Sequence, residues 1–128
     1  MSNPDDPQSW ITKADSDLLN IRNNLAAERV PWDTVCFHAQ QAAEKMLKAF
    51  LVSLGLTAPR THDLIVLLAE MVEEEASMAA WEGDCRLLTP YAVMLRYPGA
   101  CDAVSEGEAR QAAAAAQRIS EGVRAAIE

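Results

Sequence analysis

The feature that most constrains the fold is a stretch from Thr34 to Leu54 that reads as one long amphipathic helix. At about 100° per residue its apolar side chains fall on one broad face. Those side chains are Val35, Ala39, Ala42, Ala43, Met46, Leu47, Phe50 and Leu54. Gly55 follows where a helix commonly ends in a glycine, and Asp33 or Thr34 is the expected N-cap. The pattern predicts a helix that buries one face against other elements.

The opposite side of this helix carries a polar stripe. His38, Gln41, Lys45 and Lys48 follow one another at spacings of +3, +4 and +3. Two lysines and a histidine on one face form a cationic cluster that can hold phosphate oxygens. An ordinary solvated helix face is the alternative interpretation.

Helices are also predicted on both sides of this stretch. Asp6 and Pro7 are a cap and first position for a helix that runs to about Ala27. Thr61 is placed to cap a third helix, with Asp63 in its first turn. The third helix would bury Leu64, Ile65, Leu67, Leu68, Met71 and Val72.

The second half of the chain is less regular until its last helix. Trp81 is the expected anchor of the segment from Ser77 to Gly83, a short helix can begin near Asp84, and another can follow Pro90. Ser105 and Glu108 match a capping box for a final helix. That helix would turn Ala109, Ala112, Ala116, Ile119, Val123 and Ile127 inward, and its five consecutive alanines allow close helix packing.

Four or five helices with short connections predict an all-α fold, an antiparallel up-and-down bundle. Aromatic residues make up only 5% of the chain, which disfavours a β-sandwich. No repeat or linker divides the sequence, so residues 1–128 are expected to form a single domain.

Charge and cysteine usage narrow the function classes. The net charge of -8 argues against DNA binding and against docking on an anionic membrane, but leaves RNA open because a local basic patch can persist. Cys36, Cys85 and Cys101 form no Cys-x-x-Cys pair, so we expect buried thiols and neither a disulfide nor a metal site. No apolar run approaches the ~20 residues of a membrane span. The polar start of the chain lacks a secretory leader, which predicts a cytoplasmic protein.

Two further groups of residues are candidates for a site. Arg60 and His62 precede the third helix, whose N-terminal N–H groups attract anions. Arg96 and Tyr97 end the segment after Pro90, where they can also serve only in capping and packing. Phosphate-loop, dinucleotide-fingerprint, zinc-protease and serine-hydrolase motifs are absent from the sequence.

The run from Cys36 to Leu51, CFHAQQAAEKMLKAFL, resembles the signature helix of the HEPN family, the higher eukaryotes and prokaryotes nucleotide-binding domain. The segments from Thr61 to Leu64 and from Tyr91 to Gly99 fit the family in order and spacing. The resemblance implies a bundle of about five helices, a homodimer, and a minimal nucleotidyltransferase partner in a two-component system of toxin–antitoxin type.

Many members of that family are metal-independent ribonucleases with an Arg-x(4-6)-His motif, which this sequence lacks. Eight residues separate Arg29 from His38, and one separates Arg60 from His62. The resemblance therefore favours a non-catalytic branch, with no catalytic residues and no cofactor beyond a nucleotide ligand such as ATP.

The resemblance places nucleotide binding on the polar stripe, on the start of the third helix and on the segment before Gly99. The expected ligands are His38, Gln41, Lys45, Lys48, Arg60, His62, Arg96 and Tyr97. Replacing Lys45 and Lys48 by alanine should weaken nucleotide binding and leave the fold intact. The alternatives are a ribonuclease with a non-standard histidine site and a structural dimerisation bundle whose alanine-rich last helix is the interface.

Overall fold

The computed structural model describes residues 3–94 and 104–127, and within these ranges the secondary structure is helical, without strands. A 3-10 helix, Ala76–Trp81, lies between the third and fourth α-helices. The α-helices are α1 (Pro7–Leu25), α2 (Trp32–Ser53), α3 (Leu64–Glu74), α4 (Glu82–Leu88), α5 (Tyr91–Met94) and α6 (Glu106–Ile127). The prediction of an all-α helical bundle is confirmed.

Helix α2 is the centre of the bundle. Fourteen of its 22 residues are buried, and it makes the most extensive contacts of the fold, with α1 and then with α6. Helix α3 covers a further side of α2. Burial all around a helix is expected only when neighbours pack on several sides. Polar residues of α2 are therefore brought into contact with α1 and with the segment that leads into α3.

The helix ends that position the candidate site follow local capping chemistry. Asp6 accepts a hydrogen bond from the Gln8 N–H and Pro7 is the first helical residue, as predicted for α1. Gly55 has φ of 84°, and two backbone bonds close a Schellman motif after α2. The glycine was correctly placed because an L-side chain is disfavoured at that φ.

Two predicted caps were wrong. Helix α2 begins earlier, at Trp32 after Pro31, and has no side-chain cap. Its Asp33 lies instead in the first turn, where a carboxylate favours the helix dipole. Helix α3 is capped by Asp63, which accepts from the Ile65 N–H, while the Thr61 hydroxyl accepts from the Asp63 N–H.

The alanines of α6 pack inside the chain. Ala112, Ala115 and Ala116 are fully buried, and α6 contacts α2 and α4. Half of the predicted capping box is present: the Ser105 hydroxyl accepts from the Glu108 N–H at 3.1 Å. The Glu108 carboxylate accepts from the Tyr91 hydroxyl instead of from the Ser105 N–H. Close approach between α6 and α2 is what small side chains permit.

Trp81 anchors the 3-10 helix, as expected. Its indole lies on Gly122 of α6, so close that a Cβ on Gly122 would lie 1.9 Å from the Trp81 Cζ2. Cys36 and Cys85 are buried free thiols, as predicted, whereas Cys101 lies outside the described residues. None of the helices in the described ranges combines the length and apolar character that crossing a bilayer requires.

Candidate functional site

The polar stripe of α2 is packed against α1 and against the segment that leads into α3. Lys48 is buried, and His38, Gln41 and Lys45 are half-buried. The interpretation of this stripe as an ordinary solvated face is therefore wrong. His38, Lys45 and Lys48 instead contact two buried carboxylates, Asp17 and Glu44.

Asp17 joins two of the predicted ligands. Its Oδ1 accepts from His38 Nδ1 at 2.8 Å, and its Oδ2 accepts from Lys45 Nζ at 2.6 Å. Asp17 lies on the stripe of α1 that also carries Ala14 and Leu18, so the packing of α1 on α2 buries it. Both carboxylate oxygens are occupied, which satisfies the buried charge.

Glu44 joins two others in the same way. Its Oε1 accepts from His62 Nδ1 at 2.9 Å, and its Oε2 accepts from Lys48 Nζ at 3.1 Å. Gln40 adds a bond from its Nε2 to Glu44 Oε1 at 3.2 Å. Lys48 and Glu44 are an i,i+4 pair on α2, and His62 completes the arrangement from the loop before α3.

Two amide side chains extend the Glu44 group along α2. Gln41 Nε2 donates to Gln40 Oε1 at 2.7 Å, and Gln40 Nε2 also donates to the His62 carbonyl at 3.0 Å. Lys48 Nζ lies over the Trp10 ring, 5.5 Å from its centroid. We refer to Asp17, His38, Gln40, Gln41, Glu44, Lys45, Lys48 and His62 as the polar cluster.

The carboxylates set the orientation of both histidines. An ionised carboxylate only accepts hydrogen bonds, so Nδ1 of His38 and of His62 carries the hydrogen, and Nε2 is left for another partner. The His62 side chain is 56% exposed and that of His38 is 21% exposed. The bond to Glu44 therefore fixes the His62 ring while more than half of its side chain stays exposed.

The same contacts neutralise the lysines. Asp17 balances Lys45 and Glu44 balances Lys48, so the polar cluster gains net positive charge only when a histidine is protonated. The expectation that the Lys45 and Lys48 double alanine variant keeps its fold does not fit this geometry. Removing either lysine leaves a buried carboxylate short of its cation.

The remaining candidate ligands are distributed differently. Arg60 is exposed and makes no ion pair with the residues that the structure describes. Arg96 and Tyr97 lie outside the described residues. No group of three or more His, Cys, Asp or Glu side chains in residues 3–94 and 104–127 is arranged to hold a metal ion.

Tyr91 lies apart from the polar cluster, in the core near α6. Its hydroxyl donates to Glu108 Oε2 at 3.3 Å. Burial raises the pKa of Tyr91 well above its usual range, with smaller contributions from Cys36 and Glu108. This tyrosine is a core aromatic, and its hydroxyl stays protonated.

Three residues of the cluster were not anticipated from sequence: Asp17, Gln40 and Glu44. The spacing of Asp17 to Ala14 and Ile21 places it on the buried stripe of α1, and Glu44 stands four residues before Lys48, the favoured order for a helical ion pair. Those two signals would have found the carboxylates.

Comparison with protein families matches residues 7–126 to the family described as HEPN domain. Comparisons with curated proteins and with solved structures gave no match. The matched region contains the whole polar cluster.

Proposed function

Because the chain belongs to the HEPN domain family, we propose that it is a non-catalytic module that holds a nucleotide at the polar cluster. The observation that carries the proposal is the pair of histidines whose Nδ1 atoms are held by buried carboxylates. Each ring can then offer Nε2, as an acceptor to a base or hydroxyl when neutral and as a donor to phosphate when protonated.

Arg60 supplies a positive charge for phosphate, because Lys45 and Lys48 are already paired with carboxylates. It is exposed two residues before His62, at the approach to the N-terminus of α3. Nucleotide phosphates at this end of the cluster would meet Arg60 and His62 together. Arg96 and Tyr97 remain proposed ligands from the segment before α6.

We also propose that the module acts as a homodimer beside a minimal nucleotidyltransferase, in a two-component system of toxin–antitoxin type. The family commonly has such partners. The outer face of α3 is suited to a protein contact, because Ile65, Val66 and Val72 leave apolar surface exposed on it.

Thermal unfolding with nucleotides tests the binding proposal. A ligand that binds only the folded state stabilises it by about 2.7 kcal/mol at a hundredfold excess over Kd, which raises Tm measurably. We expect a Tm increase with at least one ribonucleotide at millimolar concentration, measured with and without magnesium. The His62→Ala and Arg60→Ala variants should lose most of that increase.

A matched control uses Arg86→Ala. Arg86 is exposed and, among the described residues, pairs only with the exposed Glu82 of its own helix α4, outside the polar cluster. Its variant should show the wild-type response to nucleotide. If no nucleotide changes the Tm of the wild type, the binding proposal is contradicted. The partner role then remains, and a pull-down with a nucleotidyltransferase tests it.

One observation favours a second function, a metal-independent ribonuclease. A neutral His62 with Nδ1 on Glu44 has its lone pair on Nε2, and more than half of its side chain is exposed. This is the arrangement of a general base that could take a proton from a ribose 2′-hydroxyl. The test is cleavage of RNA in the presence of EDTA. Activity lost in His62→Ala would establish this function, and RNA left intact by the wild type would exclude it.

The third candidate, a structural bundle that dimerises through the alanines of α6, has less support. Packing within the chain fully buries Ala112, Ala115 and Ala116, so they are not available to a second copy. A dimer interface on α6 would have to use its other side.

A further inference from the structure

A small cavity lies beside Trp10, outside the polar cluster. It is lined by Pro4, Ser9, Trp10 and Lys13, at the start of α1. Its volume is about 150 Å³, well below the ~300 Å³ at which pockets for whole drug-sized ligands begin. A cavity of this size fits a single flat ring system and leaves any attached groups outside.

The walls of this cavity are built by the chain before α1, which turns back onto the helix. Trp10 Nε1 donates to the Pro4 carbonyl at 2.9 Å, which fixes the indole ring. The Asn3 N–H donates to Ser9 Oγ at 3.0 Å, and the Asp6 N–H donates to the Asn3 carbonyl at 3.0 Å. The aromatic wall is therefore in place before a ligand arrives, which lowers the entropy cost of binding.

The lining and the neighbouring cations of the cavity indicate the class of ligand. The lining is almost entirely apolar, and Lys13, one of its residues, is exposed and makes no ion pair with the described residues. Lys48 of the polar cluster also lies over the Trp10 ring. A ligand that combines a flat aromatic ring with an anionic group would meet both the indole and Lys13.

We propose that the Trp10 cavity is the seat of the nucleobase of a bound nucleoside phosphate. The base stacks on the Trp10 indole and the phosphate turns toward Lys13 and the polar cluster, away from the carboxylates of Asp5 and Asp6. This inference rests on the proposed nucleotide binding and adds where the base lies. It makes Trp10 the residue that connects base recognition to Lys48.

Titration of the purified chain with the four common ribonucleoside triphosphates, followed by calorimetry, tests the proposal. Stacking of a base on an aromatic side chain is worth ~1–3 kcal/mol, so Trp10→Leu should raise the Kd by roughly 5- to 150-fold. Trp10→Phe keeps an aromatic ring and should bind within a few-fold of wild type. Tripolyphosphate, which has no base, should bind about tenfold or more weaker than the best nucleotide.

Lys13→Ala provides a variant that does not disturb packing, because Lys13 is exposed. An exposed ion pair between Lys13 and the phosphate is worth up to ~1 kcal/mol, so its loss should raise the Kd about two- to fivefold. Arg22→Ala is its matched control, because Arg22 is an exposed cation nine residues later on the opposite side of α1, and it should bind as wild type does.

Photolabelling with an 8-azidoadenine nucleotide locates the base directly. The label should appear in the tryptic peptide that ends at Lys13 and contains Trp10. Wild-type binding that Trp10→Leu and Lys13→Ala leave unchanged, or a label in the peptide that contains His62, overturns the cavity assignment while the proposed function stands. A wild type that binds none of the four nucleotides overturns both.

Discussion

At the residue scale, two buried carboxylates decide what the polar cluster can do. Asp17 and Glu44 each hold one lysine and one histidine, so both lysines of the polar stripe are already paired. Within the polar cluster, the groups left for a ligand are the outer nitrogens of the histidine rings. Nucleotide affinity should therefore respond more selectively to His62 than to Lys48, whose loss affects the fold.

Replacing Lys48 by Met tests how strongly the fold depends on this pairing. Lys48→Met keeps the length of the side chain and leaves Glu44 buried without its cation, and we expect a loss of roughly 3 kcal/mol in the free energy of unfolding, measured in urea. Arg86→Met removes the cation of an exposed i,i+4 pair with Glu82 and should cost less than ~1 kcal/mol. Equal losses in the two variants would show that the Lys48 pair is no stronger than a surface pair.

At the scale of elements, the seating of the 3-10 helix on α6 depends on one glycine. The Trp81 indole occupies the space where a side chain at position 122 would begin. Gly122→Ala should therefore move the ring and destabilise the protein by about 1–3 kcal/mol or more, read as a lower urea midpoint. Gly83→Ala is the control, because no atom lies within 4 Å of its added Cβ. Helix propensity alone predicts that Gly83→Ala is neutral or stabilising. A similar loss in both variants would show that the Trp81 contact does not cause the loss in Gly122→Ala.

Helix positions were predictable from sequence, because apolar periodicity and glycine or aspartate caps are local signals. Leu18 and Ile21 marked α1, and Gly55 marked the end of α2. The cap of α3 was missed because Thr61 and Asp63 offer competing local hydrogen bonds that only the folded loop decides between. The cap of α2 was missed because the helix begins after Pro31 without a side-chain cap. Only part of the polar cluster was predictable from the sequence. The stripe identified His38 and Lys45, but the carboxylate that joins them lies 21 residues from His38, on another helix.

At the scale of the whole molecule, the buried thiols lower the free energy of unfolding at alkaline pH. Burial raises the pKa of Cys36 to about 11 and that of Cys85 to about 12, from an ordinary value of 9.0. Above pH 9 the unfolded chain loses these protons while the folded chain keeps them, so the free energy of unfolding falls as pH rises. The fall approaches about 1.4 kcal/mol per pH unit for each thiol, between pH 9 and the folded-state pKa.

Urea unfolding at pH 8, 9, 10 and 11 measures this dependence. The Cys36→Ala, Cys85→Ala double variant, with Cys101 retained, should be less stable at pH 8 because of the lost side-chain volume. Its stability should fall less steeply above pH 9 than that of the wild type. Parallel curves for the two proteins would mean that these thiols do not set the alkaline limit.

We propose above all that a nucleotide binds where buried carboxylates hold the histidine rings. The chain contains only two histidines, so an NMR spectrum of the ring nitrogens in tag-free, ¹⁵N-labelled protein resolves both. On addition of ATP to saturation, we expect the Nε2 signal of His62 to shift while its Nδ1–H stays bonded to Glu44. ATP that binds without moving the ring signals of either histidine would contradict the claim.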